Sequence, residues 1–538
     1  MLFPAILVIL ALALEPCGAG LTPVIDLGYA RYRGTLDPAG SNDTQFLGIR
    51  FAAPPTGSLR WQAPRTPGFV AGIQNATAEP PRCLQGGTGQ GPTNTFPANK
   101  RDTLIADSED CLFLNVYIPG QLDSRKNLPV VVYIHGGGYD VGGANGFTPG
   151  PDLFNGNDLV RESGDKVIVV VIQYRLGLFG FLAGASVKAH GTLNAGLLDQ
   201  QFAFQWVQKH IAEFGGDPSR VTIWGQSAGA GSVIQQVIAN DGKTFPPLFR
   251  AAITSSSFLP SQYAFNDVIP EVPHLSQLEF LFNTVVSRTN CTSAANSLTC
   301  LRNADVNVLE QINIDLCDSG FFGTFVFVPV VDGEFIKQRP TVALREGKVN
   351  GEVLMSVTNT NEGALFVDAS TAGTVQVPQY LTQLFPNLSA QNRDVAVAKY
   401  SSLGTPIEQV TAIMGESIFI CPTYFLLRGF KGRAFKGQFA IPPAGHGDDV
   451  SYYFPSMNAN GVPPFNNTDF DKAFAESFLA FVVSLDPNDT FEPTITPTWN
   501  RYSFQQGHQV EIRFNKTESG DPAVLPFTTP EDLLDRCS

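Results

Sequence analysis

The sequence has few basic residues, and this scarcity limits the partners that the protein can bind. Only 35 of its 538 residues are lysine or arginine, against 49 aspartates and glutamates, so the formal net charge is −14. Clustered lysine and arginine are what bind nucleic acids and anionic membrane surfaces, so this balance argues against both partners. The sequence also has no Cys-x-x-Cys pair and no cysteine–histidine spacing typical of a metal site, so we expect no metal.

Long hydrophobic runs are also scarce. The apolar run 2–14 is too short to span a bilayer, which takes about 20 residues, and no other segment looks long enough. Small residues follow this run, so residues 1–19 are predicted to be a signal peptide, although a basic start is missing. Seven Asn-x-Ser/Thr sequons support export as a glycoprotein: Asn42, Asn75, Asn290, Asn387, Asn466, Asn488 and Asn515. We therefore expect a secreted, extracellular protein without stable membrane insertion.

The rest of the chain contains no Ser/Pro-rich linker, no block of like charges and no internal repeat. Segments of this kind are what mark domain boundaries in a long chain. The composition is that of a globular protein, with 43% hydrophobic and 16% charged residues. Residues 20–538 are therefore predicted to form one domain, and nothing in the sequence indicates its oligomeric state.

The most informative motif is Gly-Gln-Ser-Ala-Gly at 225–229. The preceding segment 221–224 is typical of a buried strand, and a helical pattern begins after the motif. A strand, a sharp turn and a helix are the setting of a nucleophile elbow, which exposes a reactive serine above the sheet. We therefore predict Ser227 as a nucleophile, although the pentapeptide alone would be weak evidence in a chain this rich in glycine.

A second glycine motif strengthens this interpretation. His135-Gly-Gly-Gly-Tyr follows the apolar run 128–134, and it lies upstream of the elbow, in the order expected for a loop that supplies oxyanion-hole donors to such an elbow. Its backbone N–H groups can approach a reacting carbonyl oxygen. We expect the N–H groups of Gly137, Gly138 and Ala228 to form an oxyanion hole, each donor contributing about 3 kcal/mol of transition-state stabilisation.

A serine hydroxyl needs a base to remove its proton, and the sequence has only six histidines. Three of them follow Ser227, which is the chain order expected for the base. His446 lies on a loop after a strand-like segment and is preferred over His274 and His508. Glu362, on the loop after the predicted strand 351–357, is expected to orient that histidine.

With these motifs in place, the chain resembles the type-B carboxylesterase/lipase family, which includes cholinesterases and secreted fungal esterases. The resemblance covers nearly the whole mature chain, including segments 45–55, 108–116, 174–177, 194–200 and 214–218. It implies an α/β-hydrolase fold, with a large, mostly parallel central sheet and helices on both faces. It also implies a secreted serine carboxylic-ester hydrolase that forms an acyl-enzyme, needs no cofactor and acts on small-molecule esters.

The resemblance also suggests how the cysteines pair. The family pattern implies three disulfides: Cys83–Cys111, Cys291–Cys300 and Cys421–Cys537. Cys317 is then the odd thiol, expected to be buried and inert, although it could compete with either partner of the third disulfide.

Departures from the family pattern bear on the substrate. The Cys83–Cys111 loop has no tryptophan and no apolar lid pattern, which argues against choline selectivity and against strong activation at an oil interface. Gly323 replaces one of two phenylalanines of the cholinesterase acyl pocket and Phe325 matches the other, so bulky or aromatic (for example hydroxycinnamoyl) acyl groups are expected to fit. A lipase or sterol esterase is the alternative. A catalytically inactive adhesion module of the same fold is disfavoured, because all three triad residues are present.

Overall fold

The computed structural model describes residues 23–91, 107–123, 126–147, 153–267, 277–458, 460–505 and 507–538. The predicted signal peptide, residues 1–19, and the alternative base His274 lie outside these ranges.

The described residues contain fourteen β-strands. They are β1 Val24–Asp26, β2 Arg31–Arg33, β3 Thr35–Leu36, β4 Thr44–Arg50, β5 Ile73–Asn75, β6 Phe113–Ile118, β7 Leu128–Ile134, β8 Ile168–Ile172, β9 Gly216–Gln226, β10 Ala251–Ser255, β11 Val353–Asn359, β12 Ala434–Phe439, β13 Val510–Lys516 and β14 Pro522–Thr528.

The same residues contain fifteen α-helices. They are α1 Gly156–Glu162, α2 Gly177–Phe181, α3 Ala185–His190, α4 Ala195–His210, α5 Ala228–Gly242, α6 Gln277–Arg288, α7 Ser297–Arg302, α8 Val306–Asp318, α9 Pro340–Glu346, α10 Val377–Leu384, α11 Ala390–Tyr400, α12 Pro406–Gly415, α13 Cys421–Gly429, α14 Thr468–Ser484 and α15 Glu531–Arg536.

Eleven strands form the central sheet, in the order β14-β13-β12-β11-β10-β9-β7-β8-β6-β4-β3. The seven strands from β13 to β8 are parallel to one another, and antiparallel strands extend both edges. Strands β1, β2 and β5 form a separate small sheet. The predicted large, mostly parallel sheet is confirmed.

The central strands are apolar on both faces because helices cover both faces of the sheet. Side chains alternate along β7: Val130, Val132 and Ile134 join one apolar cluster, whereas Val131 and Tyr133 join the other. Helices α4, α5, α12 and α13 contribute to the first cluster, and α1 and α14 contribute to the second. The strand segments therefore form buried parallel strands and fix the position of the loops at their ends.

Helices α12 and α13 are joined by one turn of π-helix, Glu416–Ile420, into a continuous helical run. By length and composition this run, Pro406–Gly429, could cross a membrane, so the expectation that no segment is long enough was wrong. Most of its apolar window is buried inside the fold, however, and the core helices of soluble proteins pass the same test. Pro406 and Pro422 each lie in the first turn of one of these two helices.

Disulfides and ion pairs hold the periphery of the sheet. The structure contains the disulfides Cys83–Cys111, Cys291–Cys300 and Cys421–Cys537, and Cys317 is a buried free thiol. Arginine–carboxylate pairs join distant segments in bidentate geometry: Arg50–Asp110, Arg60–Glu109, Arg175–Asp199 and Arg536–Glu416. Such paired guanidinium–carboxylate bonds fix orientation as well as distance.

All seven sequon asparagines lie among the described residues. Asn515 is partly exposed and the other six are exposed: Asn42, Asn75, Asn290, Asn387, Asn466 and Asn488. Their positions are compatible with the glycosylation that the sequons indicate, and their occupancy remains a prediction.

Candidate active site

Four loops meet at one edge of the central sheet, after the carboxyl ends of β7, β9, β11 and β12. These strands are parallel members of the sheet, so their carboxyl ends lie on the same side. In open α/β sheets this edge is where ligands bind. The loops carry the candidate residues of the sequence analysis, beginning with Ser227 directly after β9.

Ser227 occupies a strained turn between β9 and α5. Its φ is 58°, in a region that L-residues rarely adopt, and its side chain is only 7% exposed. A Cβ on Gly225 would lie 2.3 Å from the carbonyl carbon of Gly229, and a Cβ on Gly229 would lie 2.0 Å from the carbonyl oxygen of Ile134. The motif therefore needs glycine at both positions, because strand, turn and helix pass too close for any side chain.

The glycine loop after β7 approaches this turn. A Cβ on Gly136 would lie 3.0 Å from the Cβ of Ser227, so the two loops are in contact. Gly137 and Gly138 have φ angles of 104° and 65°, and no acceptor among the described residues bonds to either N–H. Ala228 is the first residue of α5, so its N–H also has no intrahelical partner. The N–H groups of Gly137, Gly138 and Ala228 therefore have no hydrogen-bond partner among the described residues, and all three lie on the two loops that meet at the elbow.

His135 begins the glycine loop and is fully buried, with its ring stacked on Tyr174. Burial lowers its pKa to about 4, so the ring is neutral at physiological pH. Its Nδ1 lies 2.9 Å from the carbonyl oxygen of Gly136, which can only accept a hydrogen bond, so Nδ1 carries the proton. This bond holds the carbonyl of the peptide whose N–H belongs to Gly137.

Glu362 and His446 are in contact on the neighbouring loops. Nδ1 of His446 lies 2.6 Å from Oε2 of Glu362, and both side chains are buried. Asn361 joins the two loops, because its N–H donates to the carbonyl of Ala444 and its side-chain amide donates to that of Pro443. A buried carboxylate at Nδ1 fixes the ring orientation and stabilises the imidazolium form, which a general base requires.

Behind this pair, Asn359 connects Glu362 to a second buried carboxyl. The N–H of Asn359 donates to Oε1 of Glu362, and its side-chain amide donates to Oδ1 of Asp449 and to Oγ of Ser256. Burial is the main reason that the pKa of Asp449 rises to about 6, and the nearby charge of Glu362 raises it further. Asp449 therefore supports the orienting acid from behind, while Tyr453 donates to its other oxygen.

The opposite nitrogen of the His446 ring faces the elbow. Its Nε2 lies 3.3 Å from the side-chain amide nitrogen of Gln226, the residue directly before Ser227. Oγ of Ser227 makes no hydrogen bond among the described residues. Catalytic hydrogen bonds are often long in free enzymes and shorten once substrate is bound.

Phenylalanine rings line the site around the His446 ring. Phe366 and Phe419 lie 5.0 and 4.4 Å from it between ring centroids, and Phe366 stacks on Phe419 at 5.1 Å. Phe258 and Phe325 extend the cluster, 5.6 Å from each other. Of these four, only Phe325 was predicted from the sequence, because no local motif marks the other three.

The structure corrects the expectation for Gly323. A Cβ there would lie 2.2 Å from the carbonyl oxygen of Phe366, so the backbone of that residue fills the space that a larger side chain would need. Gly323 is therefore a close-packing position rather than an opening on the acyl side. Phe325, by contrast, lies against the glycine loop after β7, because a Cβ on Gly138 would overlap its ring.

The other histidine among the described residues that follows Ser227 and the acid next to His446 have different surroundings. His508 is exposed on a turn, where its N–H bonds to the carbonyl of Gln505. Asp448 accepts a hydrogen bond from the N–H of Gly445 and so closes the loop that carries His446. Among the described residues, no group of three or more histidine, cysteine, aspartate and glutamate side chains could hold a metal ion.

Comparisons with known proteins give the family. The sequence model of the carboxylesterase family matches residues 22–524. Lipase 4 of Diutina rugosa is 32% identical over 507 residues, covering 86% of this chain and 87% of the lipase. Secreted lipase 1 of Botryotinia fuckeliana is 29% identical, covering 86% of this chain and 85% of the relative.

Among solved structures, the crystal structure of Aspergillus niger EstA superimposes with a TM-score of 0.80. The two proteins are 30% identical, and the superposition covers 96% of this chain and 97% of EstA. The expected α/β-hydrolase fold is thereby confirmed together with the family. The chain belongs to the carboxylesterase family and is a carboxylic-ester hydrolase.

Proposed function

We propose that the protein hydrolyses esters through a triad of Ser227, His446 and Glu362. The observation that carries this proposal is the 2.6 Å contact between His446 and Glu362 on loops beside the strained turn of Ser227. A nucleophile, a base and an acid that orients the base are what acyl transfer at neutral pH requires.

In the proposed mechanism, Oγ of Ser227 attacks the ester carbonyl while Nε2 of His446 takes its proton. The N–H groups of Gly137, Gly138 and Ala228 stabilise the resulting oxyanion. The protonated histidine then gives the proton to the leaving alcohol, and an acyl-enzyme remains. Water, deprotonated by the same histidine, attacks the acyl-enzyme and releases the acid.

For the substrate, we propose soluble small-molecule esters, including esters with aromatic acyl groups. The support is the cluster of phenylalanine rings beside His446, since flat aromatic groups pack well against ring faces and edges. The earlier reason for expecting a wide acyl pocket, the missing side chain at Gly323, no longer supports it, because Phe366 fills that space.

The alternative is a lipase or sterol esterase that acts on long-chain esters. Relatives named as lipases, from Diutina rugosa and Botryotinia fuckeliana, favour this alternative. The relative from Botryotinia fuckeliana is named a secreted lipase, which also supports the proposal that this protein is secreted. An inactive adhesion module remains disfavoured, because the chain keeps Ser227, Glu362 and His446.

A hydrolysis panel tests the substrate proposal. We expect saturable turnover of p-nitrophenyl acetate, butyrate and benzoate below their solubility limits, because the proposed substrates are soluble esters that need no oil interface. The matched blank is Ser227→Ala enzyme from the same preparation. A rate that rises only when a long-chain ester forms an emulsion would favour the lipase alternative, and failure to hydrolyse benzoate would contradict the aromatic acyl preference.

A further inference from the structure

Asp140 is a buried carboxyl that the proposed mechanism does not use. It follows the oxyanion loop directly, and its side chain is fully buried. Its Oδ1 has no hydrogen-bond partner among the described residues. The groups that favour its ionised form are the Cys317 thiol and two backbone N–H groups, and no described cation contributes. A buried carboxyl without a cation is uncommon in proteins.

The Asp140 carboxyl joins the glycine loop, which carries the proposed oxyanion donors, to the segment 325–327. We expect this segment to lie beside the acyl group of the substrate. Its Oδ2 accepts a hydrogen bond from the N–H of Val326 at 3.3 Å, and the N–H of Phe327 also points to it. These residues directly follow Phe325, whose ring lies so close to Gly138 that no side chain would fit between them. Asp140 thus anchors the backbone directly after Phe325, whose ring lies against Gly138.

The backbone of Asp140 fixes the other side of the same turn. Its N–H donates to the carbonyl of Gly137 at 3.0 Å, and its carbonyl accepts from the N–H of Gly86 at 2.7 Å. Gly86 itself packs against Cys317, since a Cβ there would lie 2.8 Å from its Sγ. Asp140 therefore bonds to three segments: the glycine loop, the segment after Cys83 and the segment 325–327.

We propose that Asp140 is a positioning residue that holds Phe325 against the oxyanion loop and so sets the acyl selectivity of the enzyme. This inference rests on the proposed function of Ser227. Burial raises the pKa of Asp140 well above its ordinary value, which favours the uncharged carboxyl. An asparagine can replace such a group, because its carbonyl accepts from the N–H of Val326 and its side chain has the same shape and no charge.

The test compares Asp140→Ala and Asp140→Asn with wild type, using p-nitrophenyl acetate and p-nitrophenyl benzoate. Active sites are titrated with a phosphonate, so that misfolded protein does not lower the apparent kcat. Phe325→Ala is the positive reference, because it removes the ring itself. We expect Asp140→Ala to change the benzoate-to-acetate ratio of kcat/KM about tenfold, in the same direction as Phe325→Ala. Asp140→Asn should stay within about threefold of wild type.

Asp332→Ala is the matched control. Asp332 is also buried, and it accepts hydrogen bonds from the backbone N–H groups of Glu334, Phe335 and Ile336 and from the side-chain amide of Asn194. None of these partners belongs to the site described above. We expect this variant to lose thermal stability while its benzoate-to-acetate ratio of kcat/KM stays that of wild type.

Two results would overturn the proposal: an unchanged acyl ratio per active site in Asp140→Ala, or an Asp140→Asn variant as altered as Asp140→Ala. If Asp140→Ala does not fold, Asp140→Ser replaces it with the same expected ratio, because its hydroxyl is too short to reach Val326. Failure of the proposed function would give a different result from failure of the Asp140 proposal. In that case the wild-type enzyme would show no more ester turnover than Ser227→Ala.

Discussion

At the scale of single residues, the site depends on two polar contacts to the His446 ring. Glu362 bonds to Nδ1, and the side-chain amide of Gln226 lies 3.3 Å from Nε2, where the proton of Ser227 would arrive. An uncharged residue at 226 leaves Glu362 as the only carboxylate in contact with the ring among the described residues. The identity of residue 226 therefore decides whether a second charge lies beside the ring.

Gln226→Glu should move the acid limb of kcat/KM to higher pH by about one unit or more, because a carboxylate beside Nε2 favours the imidazolium. Gln226→Met is the control: it removes the amide without adding charge, and its acid limb should not rise. The pH–rate profiles of both variants on a soluble ester measure this. Equal shifts in both variants would show that packing, rather than charge, is responsible.

Asp449 gives a pH-dependent prediction for stability. Burial raises its pKa to about 6 in the folded protein, above its ordinary value, so the folded state binds more protons than the unfolded state between about pH 4 and 6. The contribution of this group is thus fully present below about pH 4 and is lost as the pH rises through 6. Asp449→Asn should gain on the order of 3 kcal/mol over wild type at pH 7 and little at pH 4. Denaturant unfolding at both pH values checks this, and an equal effect at both would contradict it.

At the scale of elements, the elbow depends on contacts between β7, β9 and α5 that allow no side chain. The sequence predicts the elbow and the glycine loop because each is a contiguous motif with a local backbone requirement. It does not predict Phe258, Phe366, Phe419 or Asp140 as site residues, because they reach the site only through packing between distant segments. At Gly323 the sequence shows that a side chain is missing, but it does not show that the backbone of Phe366 occupies the space of that side chain. The expected opening of the acyl pocket at Gly323 was therefore wrong.

Gly229→Ala should destabilise the protein by about 1–3 kcal/mol or more, because the added methyl would lie 2.0 Å from the carbonyl oxygen of Ile134. Gly373→Ala is the matched control, since it adds the same methyl where no atom lies within 4 Å and φ is not positive. Thermal unfolding compares the two. Equal stability of both variants would mean that β7 and α5 separate more easily than the structure shows.

At the scale of the whole molecule, one large sheet places four loops at a single edge, and disulfides anchor the surrounding segments. The family resemblance that the motifs carry predicts this architecture. The order of strands within the sheet comes instead from long-range pairing, such as β9 between β7 and β10, which no local pattern encodes.

Peptide mapping without reduction should recover the three disulfides and one free thiol, Cys317. Burial raises the pKa of this thiol well above its ordinary value, so a maleimide should label it only after unfolding. Labelling in denaturant without a reductant is the control for reagent access. Cross-linking of Cys317 to Cys421 or Cys537 would refute the third disulfide and leave the first two intact.

The most direct test of the account is hydrolysis by Ser227→Ala. The account predicts that kcat on a soluble ester falls by about 10⁴-fold or more, with thermal unfolding unchanged, because the nucleophile is lost and the fold is kept. A phosphonate should label Ser227 stoichiometrically in wild type and nothing in the variant. If purified Ser227→Ala retained more than a few per cent of wild-type activity, Ser227 would not be the nucleophile and the proposed mechanism would be wrong.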